Sequence, residues 1–350
     1  MENQSLISEV LETARMLVRD VTAVQSGEQV LVITDYKSDP ITVNALAAAS
    51  READAEVTIT SMSPREINGD PFTPLVGRAI DGADVVFAVA STDMLHSMSW
   101  GPGSKVRDIA QRQWRLVEMA EANANVMIRP GARADYEEVG RIGDAVYDVV
   151  SKGERIRITT ELGTDVTGLI REGLSGSLSV GTNKCRAREV GSWCCFPDGE
   201  VFVLATGCIG TNPGDAEGTV VFDTSMHMLG LLREPIRCTV AAGKVTRIEG
   251  GWQAEQLRRI LARVPGSDNI IELGSIATNP FSSPHGESMF EDRKTMGTVH
   301  VAVGNRYIDM YDENGDYRPH FVHLDGVISK PDVYVDGEKI IDAGRILCVD

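Results

Sequence analysis

The residues of this chain that could do chemistry are carboxylates and histidines set in or beside apolar, strand-like segments. The sharpest local feature is His323-Leu324-Asp325, within Arg318–Gly326. On a strand, residues two apart point to one face, so this imidazole and this carboxylate could grip one cation. The tripeptide alone equally suits a solvated histidine beside a capping aspartate. His300 sits in the middle of the apolar run Thr298–Val303, where an unpaired imidazole is costly to bury and a hydrogen-bonded core histidine is the plain alternative. Glu200, in Pro197-Asp198-Gly199-Glu200-Val201-Phe202, and Glu272, in Ile270-Ile271-Glu272-Leu273-Gly274, are acids that rarely enter a core without compensating positive charge. Arg258, Arg259 and Arg263 offer such a partner to Glu272, and no cation close in sequence offers one to Glu200.

Glu200, Glu272, His300, His323 and Asp325 together supply three carboxylates and two imidazoles. Mixed nitrogen and oxygen donors suit Zn, Mn, Co or Fe, and five of them exceed what one catalytic ion with open positions needs. Two ions about 3.5–4 Å apart would absorb the surplus, and such a pair can hold a bridging water as hydroxide against an amide carbonyl. An acid in Glu291-Asp292-Arg293-Lys294, just before the His300 run, could act as general base on a metal-bound water. Glu291 is the candidate, although such a charged cluster also reads as a solvated loop. His285 reads as an exposed loop histidine and His320 as facing away from His323, being oddly spaced from it. His227 reads as packed, and Cys194-Cys195, lacking a paired histidine, as thiols packed near the site.

Elements must position these groups. Leu6, Val10, Leu11, Ala14, Leu17, Val18 and Val21 recur at helical spacing. Val30–Ile33 is an apolar run suited to a strand covered on both faces. Asp39-Pro40 opens a helix through Ala49, since Asp caps orphan amides and Pro is tolerated in a first turn. The pattern continues with a strand at Val57–Ile59, a helix at Pro74–Ile80, a strand at Val85–Val89, a helix over Val106–Arg112, a short strand at Asn125–Ile128 and a long helix from Asp135 to Val150. This alternation predicts a mostly parallel sheet with helices on both faces. From Arg155-Ile156-Arg157-Ile158-Thr159 onward the chain turns Gly-rich and strand-like, with one clear helix over Ala254–Val264. The expected architecture is therefore an α/β domain over 1–152 and a β-rich (α+β), metal-binding domain over 153–350.

Composition narrows the function classes. At 350 residues the chain has 34 Lys and Arg against 51 Asp and Glu, a formal net charge of −17, which repels phosphate backbones and anionic lipid. Neither nucleic acid nor membrane is an expected partner. The first strand is followed by Thr34-Asp35-Tyr36-Lys37-Ser38-Asp39, with no glycines to let a pyrophosphate approach, so a nucleotide fold is not expected either. The start of the sequence has no basic region before an apolar stretch, and a cytoplasmic location is the expectation. The six cysteines show no CxxC spacing and read as reduced thiols.

On these residues two resemblances appear. The second half resembles the thermophilic aminopeptidase T family of metallopeptidases at Pro197–Phe202 (PxGEVF), at Glu272, at His300-Val301-Ala302-Val303-Gly304 with Tyr307, and at His323-Leu324-Asp325. That resemblance implies a dinuclear site held by Glu200, Glu272, His300, Tyr307, His323 and Asp325, with one carboxylate bridging the ions. The first half, together with one later segment, is similar to the 2,5-dihydroxypyridine 5,6-dioxygenases, in which a single non-haem iron opens a pyridine ring, at Ser38–Ala45 and Met94–Ser97 and, later, at Asp215–Thr219. This second resemblance implies that His96 faces the substrate and moves its protons. It also implies an iron held by two His and one Asp, the last two in the H-x-D and the first His at the position of Glu272, with the counterparts of Glu200 and His300 not ligands.

With Glu at 272 and both Glu200 and His300 present, the two-metal set is complete and the iron triad is not. Ligand number and type therefore favour a hydrolase over a dioxygenase. The expectation is an aminopeptidase-like amide hydrolase with two divalent ions (Zn, Mn or Co), His96 or Glu291 handling the proton. Its substrate would be a small or ring-derived amide or a short peptide, and its assembly, from the resemblance, a homo-oligomer. The alternative is an Fe(II) ring-cleaving dioxygenase acting on 2,5-dihydroxypyridine or a related N-heterocycle.

Overall fold

In the computed structural model the described residues are 2–66, 70, 72–93, 113–170, 180–206, 208, 214–306, 309 and 322–349. The fold is mixed α/β, with two compact units. One is formed by the chain through Ala134 together with Cys185–Asp198, the other by Asp135–Lys184 and the chain from Gly199 onward. The expected single boundary after residue 152 differs from this partition. The helix Tyr136–Val150 packs against the strands Val180–Asn183 and Glu200–Val203 of the second unit, and the segment carrying Cys194 returns to the first.

The first unit carries a five-stranded parallel sheet in the order Glu56–Met62, Gln29–Asp35, Val85–Val89, Arg115–Glu118, Trp193–Cys195. Six consecutive residues, Val30 to Asp35, are buried, as an interior strand of a parallel sheet requires. Asp39 caps the helix Pro40–Glu52 through the amides of Ile41 and Thr42. It also accepts from the Ala124 amide at 2.9 Å.

One local expectation fails here. Asn125–Ile128 is not a strand: Asn123 accepts from the amides of Asn125 and Val126 and starts the short helix Ala124–Met127, because an Asn cap outweighs a few apolar residues. The strand in that stretch of chain is Arg115–Glu118, and the fifth strand, Trp193–Cys195, comes from far along the sequence. The helix expected over 106–112 lies outside the described residues.

The second unit is one antiparallel sheet, fifteen strands among the described residues. Its centre runs His323–Ser329, Thr298–Gly304, Asn269–Ala277, and Glu200–Val203 pairs on Asn269–Ala277 beside it. The three central strands are buried along almost their whole length, which is why they read as apolar runs interrupted by single polar residues. The helix expected over 254–264 spans Trp252–Arg263, and a further short helix, Met289–Asp292, precedes the Thr298 strand. No helix among the described residues is long and apolar enough to cross a membrane.

Candidate metal centre

The sheet register brings the five predicted donors to one face. Directly opposed residues of an antiparallel pair share a face. His300 opposes Ser275 and Val327, Ala302 opposes Glu272 and Asp325, and Gly304 opposes His323. Glu272 and Ser275, three apart, would ordinarily face opposite sides. The register slips between Leu273 and Ser275, with Gly274 at φ +79° as the extra residue of a bulge, so both face His300. Glu200 opposes Ala277 on one side and Asn183 on the other.

The resulting distances are short. His300 Nε2 lies 3.0 Å from Glu272 Oε2 and 3.9 Å from both Glu200 Oε2 and Asp325 Oδ1. His323 Nε2 lies 3.0 Å from Asp325 Oδ1 and 3.6 Å from Glu272 Oε1. All five side chains are buried. Glu272, His300 and Asp325 form a group that could hold a metal ion, one donor atom of each lying within 4.8 Å of the others. Ser275 Oγ donates to Glu272 Oε2 at 2.7 Å, and Asn183 Nδ2 donates to Glu200 Oε1 at 2.8 Å, fixing both acids. The His227 ring, edge-on to Phe290, accepts the Asp325 amide at 3.2 Å through Nδ1.

Two cations enter the cluster from Glu291-Asp292-Arg293-Lys294, a tetrapeptide whose charge also suits a solvated loop. Lys294 Nζ pairs with Glu200 Oε1, and Arg293 Nη1 pairs with Asp325 Oδ2. Glu291, Asp292, Arg293 and Lys294 are all buried. The cation that Glu200 lacks nearby in sequence is thus Lys294, 94 residues on. The ion pair foreseen for Glu272 does not form with Arg258 or Arg259, which engage Glu255. A buried acid with no local partner is a demand for a distant cation, and that demand was the available signal for Lys294.

The electrostatics follow from these neighbours. Burial pushes the Glu200 carboxyl up, but Lys294, Arg293 and His300 outweigh it and hold its pKa at about 2. Burial is likewise overcome at Asp325, held well below the carboxylate range by Arg293, His323 and His300. At Glu272 it is overcome by His300 and His323. Burial disfavours charge on His323, yet Asp325 and Glu272 raise its pKa above the ordinary value. Acids kept ionised around two buried imidazoles mark a place where positive charge is stabilised. Glu200 Oε2 is buried without a hydrogen-bond partner and faces His300 at 3.9 Å. This set therefore fits a divalent ion held by imidazole nitrogen and carboxylate oxygen.

The remaining candidates fall elsewhere. Glu291 Oε2 meets His285 Nε2 at 3.2 Å. Because His285 Nδ1 accepts the Glu287 amide, the proton of the neutral ring is on Nε2, directed at Glu291. His285 is thus mostly buried rather than on an exposed loop. Asp292 anchors the same turn by accepting the amides of His285 and Gly286. Burial, aided by Cys185, raises the Cys194 thiol well above its usual pKa, the opposite of what a nucleophile needs. His96, Tyr307 and His320 lie outside the described residues.

Comparison with known proteins bears on the chemistry. The family model for 2,5-dihydroxypyridine 5,6-dioxygenase matches residues 14–275. A 2,5-dihydroxypyridine 5,6-dioxygenase of Pseudomonas putida is 24% identical over 356 residues, covering 94% of each chain. Among solved structures, 2,5-dihydroxypyridine dioxygenase from Pseudomonas putida KT2440 superposes with a TM-score of 0.76 at 20% identity, covering 98% of each chain. Wild-type AmpT from Thermus thermophilus superposes at 0.64 with 15% identity, covering 97% of this chain and 99% of its own. At such identities the structural likenesses speak for the fold alone. The expectation of an aminopeptidase-like amide hydrolase, resting on the second-half ligand pattern, is overturned by the family match and by the name of the sequence relative. Donor types in a shared fold do not by themselves select a reaction.

Proposed function

We propose, since this chain belongs to the 2,5-dihydroxypyridine 5,6-dioxygenase family, that it is a metal-dependent dioxygenase opening the ring of 2,5-dihydroxypyridine or a related hydroxylated N-heterocycle. The observation that carries the reading is the family match, and the convergent buried donors of the second unit are consistent with it. Glu272, His300, His323 and Asp325 would hold the ion, which we take to be iron(II). The glutamate at 272 departs from the two-His, one-Asp set implied by the family resemblance, and His300, 3.0 Å from Glu272, supplies a second imidazole in this chain. Iron(II) held there would supply the redox chemistry that dioxygen needs to react with an electron-rich ring.

The chain's own groups have separable tasks. Ser275 and Asn183 orient Glu272 and Glu200 through single hydrogen bonds. Arg293 and Lys294 keep Asp325 and Glu200 ionised. Glu291, which accepts from His285 Nε2 at 3.2 Å, His285 itself and His96 are our candidates for moving protons during turnover.

The test is anaerobic loading with Fe(II), followed by oxygen uptake and loss of ring absorbance with 2,5-dihydroxypyridine and its hydroxypyridine analogues. Stoichiometric oxygen consumption with ring loss is expected. Iron-loaded protein that consumes no oxygen with any member of the series would overturn the reading.

A further inference from the structure

Each carboxylate of the cluster has a distinct arrangement of its two oxygens. Glu200 gives Oε1 to Lys294 and Asn183 and turns Oε2 toward His300. Asp325 gives Oδ2 to Arg293 and turns Oδ1 toward His323 and His300. Glu272 alone directs an oxygen at each imidazole, Oε2 to His300 and Oε1 to His323. Without the cations, Glu200 and Asp325 would each have a second oxygen available to bridge or chelate. With them, each acid offers a single oxygen. Both cations are buried and, unlike surface lysines, cannot trade their carboxylate for water at no cost.

Charge follows the same pattern. Three carboxylates against one guanidinium and one ammonium leave a single net negative charge when the imidazoles are neutral, as ligation requires. One divalent ion reverses that sign, and a second would leave three positive charges in a site removed from water, where like charges are poorly screened. We propose that Lys294 and Arg293 are resident counter-charges that hold this cluster to a single divalent ion, so that a set of donors sufficient for two metals operates with one. The inference rests on the reading that the cluster binds metal, and it assigns Lys294 and Arg293 as positioning residues acting through Glu200 and Asp325.

The test is Mn(II) stoichiometry on the full chain, by equilibrium dialysis with elemental analysis, read together with the electron paramagnetic resonance signature of exchange-coupled Mn(II). Native protein should bind one equivalent with an uncoupled signal, even at millimolar Mn(II). Lys294→Gln, which keeps a hydrogen-bond donor for Glu200 without the charge, should bind a second equivalent at least tenfold more tightly than native and develop a coupled signal. Lys294→Arg should behave as native. A second equivalent with a coupled signal in native protein overturns the inference without needing any variant to fold. A Lys294→Gln protein with native circular dichroism that still stops at one equivalent overturns it too, while leaving the metal-enzyme reading intact. Native protein that binds no Mn(II) and no Fe(II) removes both.

Discussion

Glu272 and Ser275 are three residues apart on one strand, yet Ser275 Oγ donates to Glu272 Oε2 at 2.7 Å. The bulge at Gly274 makes this possible, and its φ of +79° is a backbone conformation that costs a residue with a Cβ about 1–2 kcal/mol. A Cβ there would also stand 2.5 Å from Ile158 Cδ1. Gly274→Ala should therefore lower stability by at least that amount and, by relaxing the bulge, turn Glu272 away from His300. The expected readout is a reduced urea midpoint together with weakened divalent-metal affinity. Native affinity at reduced stability would mean that the bulge serves packing alone.

Removing the cation from the Lys294–Glu200 pair leaves a carboxylate buried without its partner. Lys294→Met should cost about 3–5 kcal/mol in metal-free protein, as breaking one side of a buried pair does. Lys294→Met combined with Glu200→Gln should recover most of that loss, because no charge is then left unpaired. Chemical denaturation of the three metal-free proteins measures both the cost and the recovery.

The acid limb of stability follows from the depressed carboxyls. Glu200 has a folded pKa of about 2 against an ordinary 4.5, and Asp325 also lies well below its usual value. A depressed carboxyl contributes stability that is complete above its unfolded pKa and is lost as pH falls toward the folded one. Metal-free protein should therefore lose stability between about pH 4.5 and pH 2. Glu200→Gln should flatten that limb. Urea midpoints measured across this range give the slope directly.

Metal removal should be visible as a thermal shift. A ligand at a hundred times its dissociation constant stabilises the folded state by about 2.7 kcal/mol, so chelation should lower the melting temperature and added divalent ion should restore it. His300→Ala and His323→Ala should each abolish most of that shift, because each removes an imidazole from the shared cluster. A full metal-dependent shift in His300→Ala would confine the ligands to the remaining groups.

Much of the local structure was legible because it depends on near neighbours. Asp39-Pro40 and Asp135 announce helix starts through side chains that satisfy amides two and three residues on. The spacing of His323 and Asp325 puts both on one face of any strand. Where a cap lies outside the apolar run it starts, as Asn123 does, the run alone suggests the wrong element type. The donor types at 200, 272, 300, 323 and 325 were equally legible, since a polar residue inside an apolar run stands out.

The linear order of residues thus announces sheet elements and a set of metal-type donors. How those donors meet is set by the fold. The Gly274 bulge reverses the facing that simple alternation assigns to Glu272 relative to Ser275. Arg293 and Lys294, in a charged tetrapeptide that reads as solvated, are buried against Asp325 and Glu200. The physical reason is common to both cases: burial and facing depend on partners brought together by strand register across dozens of residues, and a linear pattern does not encode which distant charge will be paid for by which.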